Sequence, residues 1–120
     1  MAFPIPLTLA ATRIGAGILT YAAPETAAKM FGIRDAENSS AYLARLFGSR
    51  DLVLGLALLS GNSAVRRNTL RLGLIVDSCD AVAGILETKR GKLTPVGSAV
   101  LVGGAVAFAA LGYTALRDAD

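Results

Sequence analysis

The sequence predicts an all-α fold, a four-helix transmembrane bundle with a short interfacial helix after the first span, and three observations carry that expectation. Of the 120 residues, 53 % are hydrophobic and 18 % charged, where soluble domains average about 25 % charged. Mean hydropathy is +0.54. Four long apolar stretches with helix-compatible composition alternate with short polar ones. The whole chain, 1–120, reads as one membrane domain, integral to a cell (plasma) membrane.

The first stretch runs from about Leu7 to Ala23 and stops at Pro24. The segment from Pro24 to Ile33 starts with proline and reaches Gly32, and reads as a short helix at the interface, with Met30, Phe31 and Ile33 facing lipid or the bundle. The second stretch covers about Ala41 to Ser60 and ends in the turn residues Gly61-Asn62-Ser63. The third covers about Asn68 to Leu86 and is followed by a charged turn, Glu87 to Lys92. The fourth opens with Thr94-Pro95, an N-cap followed by proline at the first helical position. Leu93 to Leu116 is 24 residues without a charge, and about 20 suffice to span a bilayer. The N-terminal Met1–Leu7 lacks the basic region of a signal peptide, so the first stretch is expected to stay as a span. Counting basic residues in the loops favours both termini outside the cytoplasm.

Several function classes are disfavoured by composition. There is one cysteine, Cys79, and no histidine. An internal disulfide, a zinc site and the usual histidine-dependent hydrolase triads are therefore excluded. No phosphate loop or dinucleotide fingerprint is present, so no cofactor and no metal are expected. The net charge is +3, but the 12 basic residues are scattered among 9 acids. No basic helix or aromatic platform points to nucleic acid.

Seven ionisable residues interrupt the first three stretches: Arg13, Arg45, Arg50, Asp51, Arg71, Asp77 and Asp80. Each costs about 2.5–3.5 kcal/mol at the centre of a membrane helix, so pairing across helices is expected. Helical spacing groups Gly73, Asp77, Asp80 and Gly84 on one face, Ala44, Gly48, Asp51, Gly55 and Leu58 on another, and Arg13, Gly17 and Thr20 on a third. Each charge thus lies among small residues that let helices approach closely. Arg13, Asp51, Asp77 and Asp80 are expected deepest, with Arg45 and Arg71 snorkelling near helix ends. Arg50 and Asp51 point about 100° apart, so Arg50 is expected to reach another helix or the membrane surface. Asp77 and Asp80 lie one turn apart, positioned to share a proton, unless Arg71 keeps both ionised. A charge network that only fixes helix register is the bland reading of the same residues. Cys79 reads as a small packing residue, and Tyr21 and Tyr113 as interfacial anchors. Gly103 and Gly104, with Gly97 and Gly112, predict close helix contact, either within the chain or in a homodimer.

The segment Ala44–Leu56 contains Phe47-Gly48-Ser49-Arg50-Asp51-Leu52-Val53-Leu54-Gly55. Together with the helix carrying Arg71, Asp77 and Asp80, it resembles a family of small four-helix membrane proteins known as a domain of unknown function. That resemblance covers nearly the whole chain. It implies a four-span bundle and a special role for Arg50, Asp51 and Gly55, and it supplies no reaction. The layout is more distantly similar to DoxX-like proteins. Small multidrug transporters are similar only in outline: they carry an acid in the first helix, where this chain has Arg13.

The functional expectation is a lipophilic small molecule bound inside the bundle. Asp51, Asp77 and Asp80 would act as the catalytic acid/base groups, while Arg13, Arg50 and Arg71 bind and orient. Chemistry on these groups would be cofactor-free isomerisation, cyclisation or epoxide opening. Proton-coupled transport by a dimer and a non-catalytic membrane scaffold are the alternatives. A cavity between the helices separates the first reading from a dry, fully paired interior.

Overall fold

The computed structural model describes residues 5–35 and 40–119. The stretch Met1–Pro4, most of the segment read as lacking a signal peptide's basic region, lies outside them. Among the described residues there are five α-helices and no strand: α1 (Ile5–Ala22), α2 (Pro24–Met30), α3 (Ala41–Leu58), α4 (Ser63–Lys89) and α5 (Pro95–Ala119). All four apolar stretches form long helices. Among the described residues only α5, over Pro95–Asp118, is long and apolar enough to cross a membrane by length and composition, with a mean hydropathy of 1.9. α1 has 18 residues around Arg13, and α3 and α4 carry the other six of the seven charges that interrupt the first three stretches.

Local signals set the helix ends. Pro24 begins α2 immediately after α1, and Gly32, at φ +71°, takes the left-handed conformation that turns the chain out of α2. Ser40 caps α3, its Oγ accepting from the Leu43 N–H at 3.2 Å. Asn62 caps α4, its Oδ1 accepting from Ala64 and Val65 at 2.9 and 3.2 Å. Capping there starts α4 five residues before the expected Asn68, and the helix also runs through Glu87-Thr88-Lys89 instead of breaking at Leu86. Polar helix formers flanking an apolar stretch simply extend it. Thr94 Oγ1 accepts from the Gly97 N–H at 2.9 Å, and Pro95 opens α5 as expected.

The helices pack as two close pairs, α1 on α3 and α4 on α5, with a thinner contact between α3 and α4. Glycines set the first pairing. A methyl at Gly17 would lie 2.6 Å from the Gly48 carbonyl oxygen, and one at Gly55 2.9 Å from that of Ala10. Gly84 makes room for Val102 between α4 and α5. By contrast, nothing lies within 4 Å of a methyl at Gly103 or Gly104, so these two make no close contact within the chain, and the intramolecular half of that expectation is corrected. Gly97 does: it abuts the carbonyls of Phe31 and Gly32. There the turn after α2 pairs with the α4–α5 connection through an antiparallel bridge, Ile33 to Leu93. Arg34 N–H donates to the Lys92 carbonyl at 2.8 Å and Thr94 N–H to that of Gly32 at 2.9 Å.

The contents of the bundle change along its length. At the end where α1 begins and α3 finishes, Leu9, Ala10, Leu58, Leu70 and Ala115 form an apolar core, backed by Phe108, Leu111 and Leu116. Arg13, Asp51 and Asp77 come next and are as buried as that core. Outside, large apolar side chains such as Ile18, Val53, Leu56, Leu72, Ile75 and Val82 stand exposed. Around Arg13, Asp51 and Asp77, charge is inside and hydrocarbon outside.

Candidate functional site

The buried charges form one chain of contacts drawn from three helices. Arg13 of α1 donates through Nη2 to Asp77 Oδ2 of α4 at 2.5 Å. Its Nη1 lies 3.5 Å from Asp51 Oδ1 of α3. Arg50 of α3 grips Asp80 of α4 with two hydrogen bonds, Nη2 to Oδ2 at 2.8 Å and Nη1 to Oδ1 at 3.3 Å. The same Nη2 is 3.6 Å from Asp51 Oδ1. The order is therefore Asp77–Arg13–Asp51–Arg50–Asp80, three carboxylates sharing two guanidiniums.

Each side chain arrives there for a local reason. Arg13 shares its buried face with Leu9, Gly17 and Thr20. Its guanidinium reaches α4 because Gly73 presents no side chain: a methyl there would stand 3.0 Å from Nη2. Asp51 lies between Gly48 and Gly55, the residues that bring α1 and α3 together, so it is carried inward. Phe108 of α5 covers Arg13, with Cζ 5.2 Å from the ring centre, and Phe47 covers Arg50 at 4.5 Å. Aromatic faces stabilise cations in surroundings short of water.

Five of the six expected site residues meet. The sixth, Arg71, does not: it is exposed, its Nη1 is 3.5 Å from Asn68 Oδ1, and it lies beside Leu74, Tyr113, Leu116 and Arg117. It stands about a turn and a half before Asp77, toward the wrong end of α4 to reach both carboxylates. Three further expectations are corrected. Asp80 is about one-third exposed (32 % for its side chain), not among the deepest. Arg50 reaches another helix as expected, but its Nη2 also stands 3.6 Å from Asp51, the neighbour it was expected to point away from. Cys79 is exposed on the outer face of α4 and is not a packing residue. Arg45 caps the end of α1, donating through Nε to the Tyr21 carbonyl at 3.1 Å. The two phenylalanines were not foreseen. Phe47 sits three residues before Arg50, a helical spacing visible in the sequence, whereas nothing local to Phe108 points to Arg13.

Beside the charges a cavity of about 610 Å³ opens between the helix pairs. The buried Arg13, Asp51 and Asp77 form its deep end, with the partly exposed Asp80 beside them; its walls are largely small or apolar, including Ala16, Ala44, Gly104 and Ala105. Pro24, Ala27, Ala28, Phe31, Ile33 and Leu93 line the other end, where α2 lies. One atom at the deep end is not satisfied: Asp51 Oδ1 is buried without a hydrogen bond, its two arginines standing beyond bonding geometry. Arg50 Nε is likewise unpartnered. Among the described residues, no group of three or more His, Cys, Asp or Glu is arranged to hold a metal ion.

An all-α bundle enclosing a charge network beside an apolar cavity is the class of protein that the fold and site define. The chain belongs to the family described as Domain of unknown function (DUF4267), which it matches over residues 10–115. That span contains every residue of the charge network. No curated protein and no solved structure matches it.

Proposed function

We propose that the chain is an integral membrane protein with four spans and that its cavity binds a lipophilic small molecule. The membrane reading is supported by the distribution of polarity. In water, exposing Ile18, Val53, Leu72, Ile75 and Val82 while burying Arg13, Asp51 and Asp77 is unfavourable on both counts. In hydrocarbon both preferences invert. α4 and α5, at 27 and 25 residues, exceed the length needed. α1 and α3 have 18 each, within the range for a span of about 17–25 residues.

The binding reading is carried by the cavity and by a carboxylate oxygen there that accepts no hydrogen bond. A network serving only to hold helices together has no need of a space this large beside it, and pockets for small ligands run to about 300–1,000 Å³. An apolar body would lie along the alanines and glycines, with a polar group at Asp51. Asp51, Asp77 and Asp80 are the groups available for proton transfer to such a ligand, and Arg13 and Arg50 hold them in place. Cofactor-free acid/base chemistry on a lipophilic substrate is the reaction class that these side chains support.

Gly104 provides the test. It lines the cavity, and a side chain there meets nothing nearby. Protein released from its membrane with a belt of native lipid should carry a compound enriched over the surrounding lipid by mass spectrometry. Gly104→Phe should lose that compound while keeping its melting temperature. Identical extracts from the two proteins would count against a ligand in this cavity.

A further inference from the structure

The deep end of the cavity is short of positive charge. Four ionisable residues line it, Asp51, Asp77, Asp80 and Arg13, so acids outnumber bases three to one. Arg50, which holds Asp80, does not face the space. Counting Arg50, the network still totals three carboxylates against two guanidiniums. Asp51, 4 % exposed, is the least satisfied member, since its Oδ1 accepts no hydrogen bond. Low dielectric makes a buried acceptor without a donor costly. A ligand bringing one positive charge and N–H donors would satisfy both deficits, whereas an anion would add to the excess. Phe47 and Phe108, already stacked on arginines, also line the cavity and offer ring faces to a cation.

We infer that the cavity selects a monocationic amphiphile, an aliphatic amine whose ammonium group sits against Asp51 and whose hydrocarbon body lies toward α2. This rests on the binding reading above and adds the chemical class of the ligand. Glu87 and Lys92, one of each sign toward the α2 end, leave the preference to the deep end. Arg13 stays hydrogen-bonded to Asp77, and only the two longer arginine contacts of Asp51 Oδ1, at 3.5 and 3.6 Å, have to yield to the incoming ammonium.

The test compares three probes with the same chain, dodecylamine, dodecan-1-ol and dodecanoate. Each is titrated at pH 7 into the protein in nanodiscs of zwitterionic lipid, with empty nanodiscs subtracting partition into the bilayer. Wild type should bind the amine about tenfold or more tightly than the alcohol, since hydrogen bonds to a charged group exceed neutral ones by that much. The carboxylate should bind weakest. Asp51→Asn should bring amine and alcohol within about threefold of each other, and the wild-type comparison stands even if that variant does not fold. Alcohol binding as tightly as amine, with both lost in Gly104→Phe, would overturn the charge preference and leave the cavity reading intact. No saturable binding of any probe, or binding that Gly104→Phe leaves unchanged, would overturn the cavity reading and this inference together.

Discussion

Gly17 and Gly48 occupy each other's side-chain space: a methyl on either would stand 2.6–2.7 Å from the other's carbonyl oxygen. The backbones of α1 and α3 meet there, four residues from Arg13 and three from Asp51. The separation of that ion pair is therefore set by two hydrogen atoms. Gly17→Ala or Gly48→Ala is expected to destabilise the bundle by about 1–3 kcal/mol through overpacking. Gly15→Ala, at a position with open space, should be neutral or slightly stabilising. Unfolding in mild detergent against added denaturing detergent measures the contrast. Equal behaviour of Gly15 and Gly17 would remove the close approach from the explanation.

Arg13 touches two of the three carboxylates, whereas Asp51 holds neither of its arginines by a hydrogen bond. Arg13→Met should cost about 3–5 kcal/mol, because Asp77 is left buried and unpaired. Asp51→Asn keeps the shape and should cost less than about 2 kcal/mol. The same unfolding measurement decides the order, and a more damaging Asp51→Asn would make Asp51 the network's anchor.

Arg71 lies away from the network. Arg71→Ala should change stability by less than about 0.5 kcal/mol and leave amine binding at its wild-type value. A loss comparable with that of Arg13→Met would show Arg71 acting on Asp77 and Asp80 after all.

Cys79 gives the membrane reading a native probe, being the one cysteine in the chain and exposed on α4. In intact vesicles a charged maleimide should leave Cys79 unmodified, because hydrocarbon excludes both the reagent and the thiolate. After solubilisation and unfolding it should label fully. Rapid labelling in vesicles would place this face of α4 in water.

The sequence made the interior legible at unequal depth. Gly48, Asp51 and Gly55 recur at helical spacing, and the face they define is the buried one. Gly73, Asp77 and Gly84 repeat the relationship on α4. Spacing along a helix reports which residues share a face, so convergence of these stripes could be expected. It says nothing of which acid meets which base, because that depends on the azimuth and height of one helix against another. Asp77 therefore pairs with Arg13, 64 positions away, while Arg71 on its own helix is left out. Gly103-Gly104 shows the converse: a small-residue pair permits close approach without requiring it, and here it borders open space. The charges led to the expectation of a site inside the bundle, but the size and lining of the cavity were not legible, since an empty volume is what several helices fail to fill together. Among the described residues hydropathy marks α5 alone as a candidate span, because the charges on α3 and α4 count against those helices wherever they point.

The bridge between Ile33 and Leu93 joins main chain to main chain, so it takes no account of which side chains its residues carry. The glycines at 32 and 97 are closed to enlargement, since a methyl at either would stand 2.5–2.8 Å from the facing segment. Yet Phe31, Ile33, Lys92 and Leu93 all border the cavity. The clasp thus behaves as a frame with exchangeable panels. Substitutions at those four positions would reshape the cavity wall and leave the main-chain fastening in place, so the lining of the space and the upkeep of the fold are separable.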